Sequence, residues 1–165
     1  MVTAFLGLGA NLGDRLGSLR GARQALDKLP GITVVKSSAL YETVAVGGPP
    51  GQDAYLNAVL EITTTLSADK LLENCLAVEK QFGRERLIYH GPRTLDIDLL
   101  FFSHLVCEDR DLTLPHPRLH LRAFVLIPLR DLAPEMLHPL QGKTVRQLCD
   151  ELPCNQGIKY FSRTW

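Results

Sequence analysis

The stretch His90-Gly-Pro-Arg-Thr-Leu-Asp-Ile-Asp-Leu-Leu-Phe-Phe102 alternates with a period of two, which makes it a β-strand. Asp96 and Asp98 fall on one face; Leu95, Ile97, Leu99 and Phe101 fall on the other. At about 3.3 Å of rise per residue the two carboxylates stand roughly 7 Å apart, close enough to share one divalent ion or to hold two adjacent ones. Mg²⁺ takes one or two carboxylates and completes its octahedron with water and phosphate oxygens. A half-buried strand whose acids simply face water satisfies the same alternation. Leu100 and Phe102, however, continue the aspartate side with apolar residues, so the acids interrupt a face otherwise suited to burial. An unpaired polar group there is unfavourable, which favours the metal reading. Just upstream, Gly91-Pro92 makes a turn, and Arg93 brings a rigid positive fork suited to phosphate.

Working outward, Ser67 caps a predicted helix from Ala68 to about Gln81 that Gly83 ends. Leu71, Leu72, Cys75, Leu76, Glu79 and Phe82 share one face, which puts Glu79 at the margin of the core. The charged loop Arg84-Glu85-Arg86 leads from this helix into the aspartate strand. Before the helix, Asn57 to Thr65 reads as a strand, and Ile32 to Tyr41 as another. Between these two runs a long segment with Gly47, Gly48, Pro49, Pro50 and Gly51 at its middle, of the kind that serves as a binding loop. Asn57 carries both a donor and an acceptor, suited to the edge of a heterocycle or to a purely structural role at a strand start.

The chain opens with a short strand, Val2 to Leu8, a turn through Gly9, Asn11, Gly13 and Asp14, and a helix whose Leu16, Leu19, Arg23, Leu26 and Leu29 share a broad face until Pro30-Gly31. Gly7-x-Gly9-x-x-x-Gly13 misses the dinucleotide fingerprint by one residue, and no G-K-[ST] makes it a phosphate loop. A tight strand-to-helix turn with Asn11 or Asp14 near the helix start is the better reading. Past the aspartate strand, Ser103 to Leu112 reads as an exposed connection or hairpin with Leu105 and Val106 as its core residues. Leu114-Pro-His-Pro-Arg-Leu-His-Leu-Arg-Ala-Phe124 gathers His116, Arg118, His120 and Arg122 beside Phe124; an anion site and a solvated basic loop both fit it. Phe124 to Leu132 is a helix around Pro128, Gly142 to Leu152 a further short helix or turn, and the tail ends in Trp165.

The order is β-α-β-β-α-β followed by a hairpin and C-terminal helices. It predicts an α+β fold, a ferredoxin-like βαββαβ sandwich with a mainly antiparallel sheet and helices packed on it. The 165 residues are expected to form a single domain over 1–165. Eighteen basic and eighteen acidic side chains cancel, so no broad field attracts nucleic acid or anionic membrane, and any anion site must be built locally. Cys75, Cys107, Cys149 and Cys154 lack zinc spacing and read as reduced thiols of a cytoplasmic protein. The glycines and polar residues near the start exclude a signal peptide, and no run is apolar enough to span a bilayer. Two aspartates, the basic set Arg84, Arg86, Arg93, His116 and Arg122, an amide and an aromatic platform fit phosphoryl transfer, which needs cations and in-line placement more than covalent chemistry.

With Leu6-Gly-Leu-Gly-Ala-Asn-Leu-Gly-Asp14, Tyr55-Leu-Asn-Ala58, Glu79, Gly83-Arg84, Gly91-Pro-Arg-Thr-Leu-Asp-Ile-Asp98, Leu114-Pro-His-Pro117 and Arg122-Ala-Phe124 in this order, the chain resembles the 6-hydroxymethyl-7,8-dihydropterin pyrophosphokinases of folate biosynthesis. The resemblance runs from Leu6 to Pro134. It implies transfer of pyrophosphate from ATP to a pterin alcohol, with release of AMP. Asp96 and Asp98 would hold two Mg²⁺ ions, and Arg84 and Arg93 would neutralise the transferring group. His116 and Arg122 would contact the triphosphate, with Glu79 and Arg86 also on the ATP side. Ile97 to Leu99 and Leu112 to Thr113 would line the adenine site. Asn57 would read the pterin edge, Phe124 would stack on its ring, Tyr55 would support the pocket, and Thr43, Val44, Ala45 and Val46 would supply backbone contacts. A monomer is expected. Where some members carry tryptophan this chain has His90, next to Tyr89, and the loop from Val44 to Ala54 varies in length across the family.

Two rivals remain: a ferredoxin-like nucleotide- or RNA-binding module, which would place aromatic platforms on adjacent central strands, and a nicotinamide oxidoreductase, disfavoured by the glycine spacing.

Overall fold

A computed structural model describes residues 1–44, 51, 53–82, 95–153 and 157–165. Its centre is an antiparallel sheet in the order β5 (Asp96–Phe102), β1 (Val2–Ala10), β4 (Tyr55–Thr64), β3 (Leu40–Thr43), β8 (Ile158–Ser162); β2 (Ile32–Ser37) pairs with the other end of β4. The central strands β1 and β4 are long and apolar on both faces, because both faces are covered. Helices α1 (Arg15–Asp27) and α2 (Ala68–Gln81) lie on one side, where Leu6, Leu8, Leu60, Ile62, Ile97 and Leu99 meet Leu19, Leu26, Leu71 and Cys75. On the other side α3 (Ala123–Leu132) and α4 (Val145–Asp150) pack Val125, Leu126, Leu129, Val145 and Leu148 against Phe5, Val59, Leu100 and Phe101.

Local chemistry sets the element ends. Asp14 caps α1 by accepting from the Gly17 amide, and Ser67 caps α2 by accepting from Lys70. Thr144 and Gln147 form a reciprocal capping box on α4. Ser38 divides the single strand expected over Ile32 to Tyr41. Fully buried, its hydroxyl accepts from the Val59 amide and donates to the Ala39 carbonyl, so it satisfies the backbone where β2 gives way to β3.

Two expectations are corrected, and one element is added. Phe101 does not share a face with Ile97 and Leu99: the pairing with β1 shifts register between Phe5 and Leu6, and this bulge turns both Leu100 and Phe101 toward α3 and α4. Leu105 and Val106 are not core residues but 42% and 49% exposed. They precede the short hairpin of β6 (Cys107–Glu108) and β7 (Thr113–Leu114), which is too small to enclose them. The tail, given no element in the sequence reading, forms β8 on β3, and Trp165 folds back to donate its indole N–H to the Ser38 carbonyl at 2.8 Å, with the Arg23 guanidinium 4.6 Å from its ring centre.

Candidate active site

Cross-strand register builds the site. Tyr41 lies opposite Asn57, Asn57 opposite Gly9, and Gly9 opposite Asp96. Directly opposed residues of an antiparallel sheet project to the same face, so one row runs Tyr41, Asn57, Gly9, Asp96. The next row inward is Val59, Gly7, Asp98. Gly7 and Gly9 therefore leave a bare strip of sheet between the amide of Asn57 and the two carboxylates. A Cβ on Gly9 would sit 3.0 Å from Asn57 Oδ1. The glycine spacing thus marks an open floor as well as the turn expected after the first strand.

On the amide side, Asn57 is buried and its Nδ2 donates to Thr43 Oγ1 at 2.8 Å. This bond fixes which way the amide faces, and Tyr55 stands opposite Thr43 at the end of the same ladder. Val44 is exposed, so any role for it rests on its backbone. Ala45 and Val46 lie outside the described residues, as do Tyr89 and His90.

On the acid side, β5 is an edge strand, and a cleft of about 300 Å³ wraps around it. Asp96 and Asp98 line this cleft with Glu79 and His116, and Ile97, Leu99, Leu112 and Thr113 supply its less polar wall. Every described residue assigned to ATP except Arg122 therefore meets in one place. Glu79 is 1% exposed and its Oε1 accepts from the Ile97 amide at 2.7 Å, closing an edge that would otherwise present an unpaired donor. Cys75 lies one helical turn before it; burial first, then Glu79 and Asp98, push this thiol up to about 12.

His116 was counted among the cations, and this is corrected. Burial, followed by the neighbouring Arg122, pushes it down to about 4, against the opposing pull of Asp96. Its Nδ1 accepts from the Arg118 amide at 3.3 Å, which assigns the proton of the neutral ring to Nε2. At neutral pH, without ligand, it is a hydrogen-bond donor rather than a charge. The Arg122 guanidinium lies 5.4 Å from the Phe124 ring centre, and Phe124 packs at the margin of the cluster on the Asp96 face. Arg84, Arg86 and Arg93 lie outside the described residues.

Arg110 and Asp111 also line the cleft and were not singled out in the sequence, and Leu72, Leu76 and Pro117, read there without a site role, line it too. Arg110 and Asp111 sit in the run Glu108-Asp-Arg-Asp111, which reads as a solvated connection; only the β6–β7 hairpin brings them to β5. Among the described residues no three His, Cys, Asp or Glu side chains gather as a closed metal site. Two carboxylates beside open cleft suit a hard cation that takes its remaining ligands from water and phosphate, not a structural zinc.

The arrangement has clear relatives. The model of the 7,8-dihydro-6-hydroxymethylpterin-pyrophosphokinase family matches residues 5–134. The chain belongs to this family. It is 42% identical over 151 residues to the 2-amino-4-hydroxy-6-hydroxymethyldihydropteridine pyrophosphokinase of Synechocystis sp., covering 92% of this chain and 76% of that one. Against the Methylorubrum extorquens protein of the same name it is 43% identical, covering 92% and 94%. The pyrophosphokinase family's reaction, pyrophosphoryl transfer from ATP to hydroxymethyldihydropterin in folate biosynthesis, is accordingly the activity of this chain. The fold is that of the Plasmodium falciparum HPPK-DHPS crystallised with pterin and p-hydroxybenzoate, with a TM-score of 0.76 at 16% identity over 96% of this chain. The chain spans 46% of that longer polypeptide. The family match displaces the reading as a binding module without catalysis. Among the described residues no helix is long and apolar enough to cross a membrane.

Proposed function

We propose that ATP lies in the cleft along β5 with its phosphates at Asp96 and Asp98, and that the pterin lies against Asn57 across the bare strip at Gly9. The observation that carries this reading is the single row Asn57, Gly9, Asp96, which sets a heterocycle-reading amide and a cation-binding acid on either side of an unobstructed floor. Two Mg²⁺ ions, held by Asp96 and Asp98, would supply charge neutralisation and polarisation of the phosphate oxygens. The His116 Nε2–H donates to the triphosphate, and Arg122 adds a fixed positive charge. Arg84 and Arg93 neutralise the transferring group, with Arg86 and Glu79 completing the ATP side. Ile97, Leu99, Leu112 and Thr113 enclose the adenine.

On the pterin side Asn57 and Thr43 read the ring edge, Phe124 stacks on its face, Tyr55 supports the pocket, and Val44, Ala45 and Val46 offer backbone groups. The pterin hydroxyl oxygen attacks the β-phosphorus, the bond from the β-phosphorus to the α,β-bridging oxygen breaks, and AMP leaves with that oxygen. Asp96 rather than Asp98 assists removal of the hydroxyl proton, because Asp96 shares its row with Asn57 while Asp98 faces Gly7 and the apolar Val59. The strand order, in which each helix joins two parallel strands with an antiparallel strand between them (β4 between β1 and β2, β1 between β4 and β5), supports a ferredoxin-like core over β1 to β5. The free thiols Cys75, Cys107 and Cys149 support a reducing, cytoplasmic setting, and the enzyme is read as a monomer.

The test supplies ATP, Mg²⁺ and 6-hydroxymethyl-7,8-dihydropterin and separates the nucleotides. One AMP per pterin diphosphate is the expected result. ADP in its place would overturn the β-phosphorus assignment, and nucleotide binding without turnover would return the chain to the binding modules.

A further inference from the structure

Arg15 occupies the first position of α1, where the helix dipole disfavours a positive charge, and beyond the capping Asp14 no acid stands in that first turn. A residue placed against the local rule calls for a reason elsewhere in the fold. Its side chain supplies one. A single guanidinium nitrogen, Nη1, donates to Glu42 Oε2 at 2.9 Å and to the Ala54 carbonyl at 2.9 Å. Four residues earlier, Asn11 is 2% exposed and its Nδ2 donates to the Asp53 carbonyl at 3.2 Å. The turn between β1 and α1 therefore grips the chain at Glu42, Asp53 and Ala54.

Those three residues bracket the amide side of the site. Glu42 immediately precedes Thr43, and Ala54 immediately precedes Tyr55. Thr43 and Tyr55 are the last opposed pair of the β3–β4 ladder, and Thr43 Oγ1 receives the Asn57 amide. Among the described residues the β3–β4 ladder ends at that pair, and the Arg15 tie lies at that end. We propose that Arg15 is a positioning residue for the pterin: by tying Glu42 to the Ala54 carbonyl it holds Thr43, Tyr55 and Asn57 at the spacing that reads the ring edge. The ATP cleft, on the far side of β5, does not depend on this tie.

This rests on the assignment of Asn57 to the pterin, so the experiment carries its own control. Steady-state kinetics of Arg15→Ala, Arg15→Lys, Glu42→Gln and Asn57→Ala are measured with each substrate varied in turn, alongside thermal midpoints. Arg15→Ala is expected to raise the pterin KM about tenfold, an effect equivalent to one or two lost hydrogen bonds, while the ATP KM stays within twofold. Arg15→Lys, which keeps a cation opposite Glu42, is expected to recover part of the loss. Glu42→Gln is expected to raise the pterin KM less than Arg15→Ala, because the Ala54 contact survives. A lowered midpoint with both KM values unmoved would overturn the proposal, leaving Arg15 a purely structural staple. Equal rises in both KM values would overturn it as well. An unmoved pterin KM in Asn57→Ala would sink the pterin assignment itself and the Arg15 role with it. A raised one in Asn57→Ala with none in Arg15→Ala would remove only the latter.

Discussion

Gly9→Ala isolates the role of the bare floor. Gly9 is a strand residue flanked by ladder pairs on both sides, so alanine is acceptable to the backbone and removes the entropic disadvantage of an internal glycine, worth about 0.5–1 kcal/mol. The new Cβ, however, falls 3.0 Å from Asn57 Oδ1 and 3.8 Å from Tyr55 Cδ1. The first distance is well inside the roughly 3.5 Å at which a carbon rests comfortably against a neighbour. Asn57 cannot swing aside freely, because it is buried and its Nδ2 is committed to Thr43 Oγ1 at 2.8 Å. A shift of a few tenths of an ångström lengthens that bond and misaligns the amide toward the ring. At about 0.5–1.5 kcal/mol for each neutral hydrogen bond, the combined loss is about 1–2 kcal/mol. The pterin KM should therefore rise roughly 5–30-fold. Stability should change by less than about 1 kcal/mol, or some 2–4 °C in the thermal midpoint for a chain of this size. Steady-state kinetics and differential scanning calorimetry read the two effects separately. A pterin KM equal to wild type would refute the claim that the glycine keeps the amide in place.

Glu79→Gln retains an acceptor for the Ile97 amide, whereas Glu79→Ala leaves that amide buried and unsatisfied. Urea unfolding should put the alanine variant about 1–3 kcal/mol below the glutamine variant. His116, held down to about 4, and His138, lowered by burial and then by His120, are both neutral in the fold. The His138 Nδ1 accepts from the Leu140 and Gln141 amides, and the ring lies 5.8 Å from His120 and 5.6 Å from Phe101. Each binds its proton more readily when unfolded, so stability is complete above about pH 6.5 and declines as pH falls toward 4. The His116 shift alone corresponds to at most about 3 kcal/mol, and solvent screening of this half-buried ring reduces that to roughly 1–2. Urea midpoints at pH 7 and pH 5 check the slope. Cys75, buried and pushed up to about 12, should stay unlabelled by a thiol reagent at pH 8 in the native protein, while the partly exposed Cys107 reacts; peptide mass spectrometry distinguishes them.

The sequence carries the elements whose chemistry is local. The alternation from Asp96 to Leu99 and the Ser67 cap are written in neighbouring residues and assemble as read, whereas in the α2 stripe Leu71, Cys75 and Glu79 are buried but Leu76 is 45% exposed and Val78 is buried in its place. What escapes is set by pairing across long separations. The bulge that turns Phe101 to the α3–α4 side arises from the register with β1, which no alternation within β5 encodes. β8 is invisible because an edge strand with an exposed Tyr160 and Phe161 lacks the buried face that marks a strand. Gly9 reads as a turn residue, and Gly7 as one more strand residue, until β4 and β5 are set on either side of them, and Arg15 reads as an ordinary helix-surface cation until Glu42 and Ala54 are brought to it. Asp96, Asp98 and His116, singled out by type, do meet in one cleft, whereas its walls at Ile97, Leu99, Leu112 and Thr113 were drawn only from the family resemblance. The neutral state of His116 was not legible, since it depends on burial beside Arg122.

The central claim, that Asp96 and Asp98 face one cleft in order to hold divalent cations against a triphosphate, is tested most directly by counting bound metal. Mn²⁺ binding, followed by electron paramagnetic resonance with a non-hydrolysable ATP analogue, should give two ions per chain in the wild type. It should fall by at least one ion in Asp96→Asn and in Asp98→Asn, each still folded. Two ions retained at unchanged affinity in both variants would contradict the account.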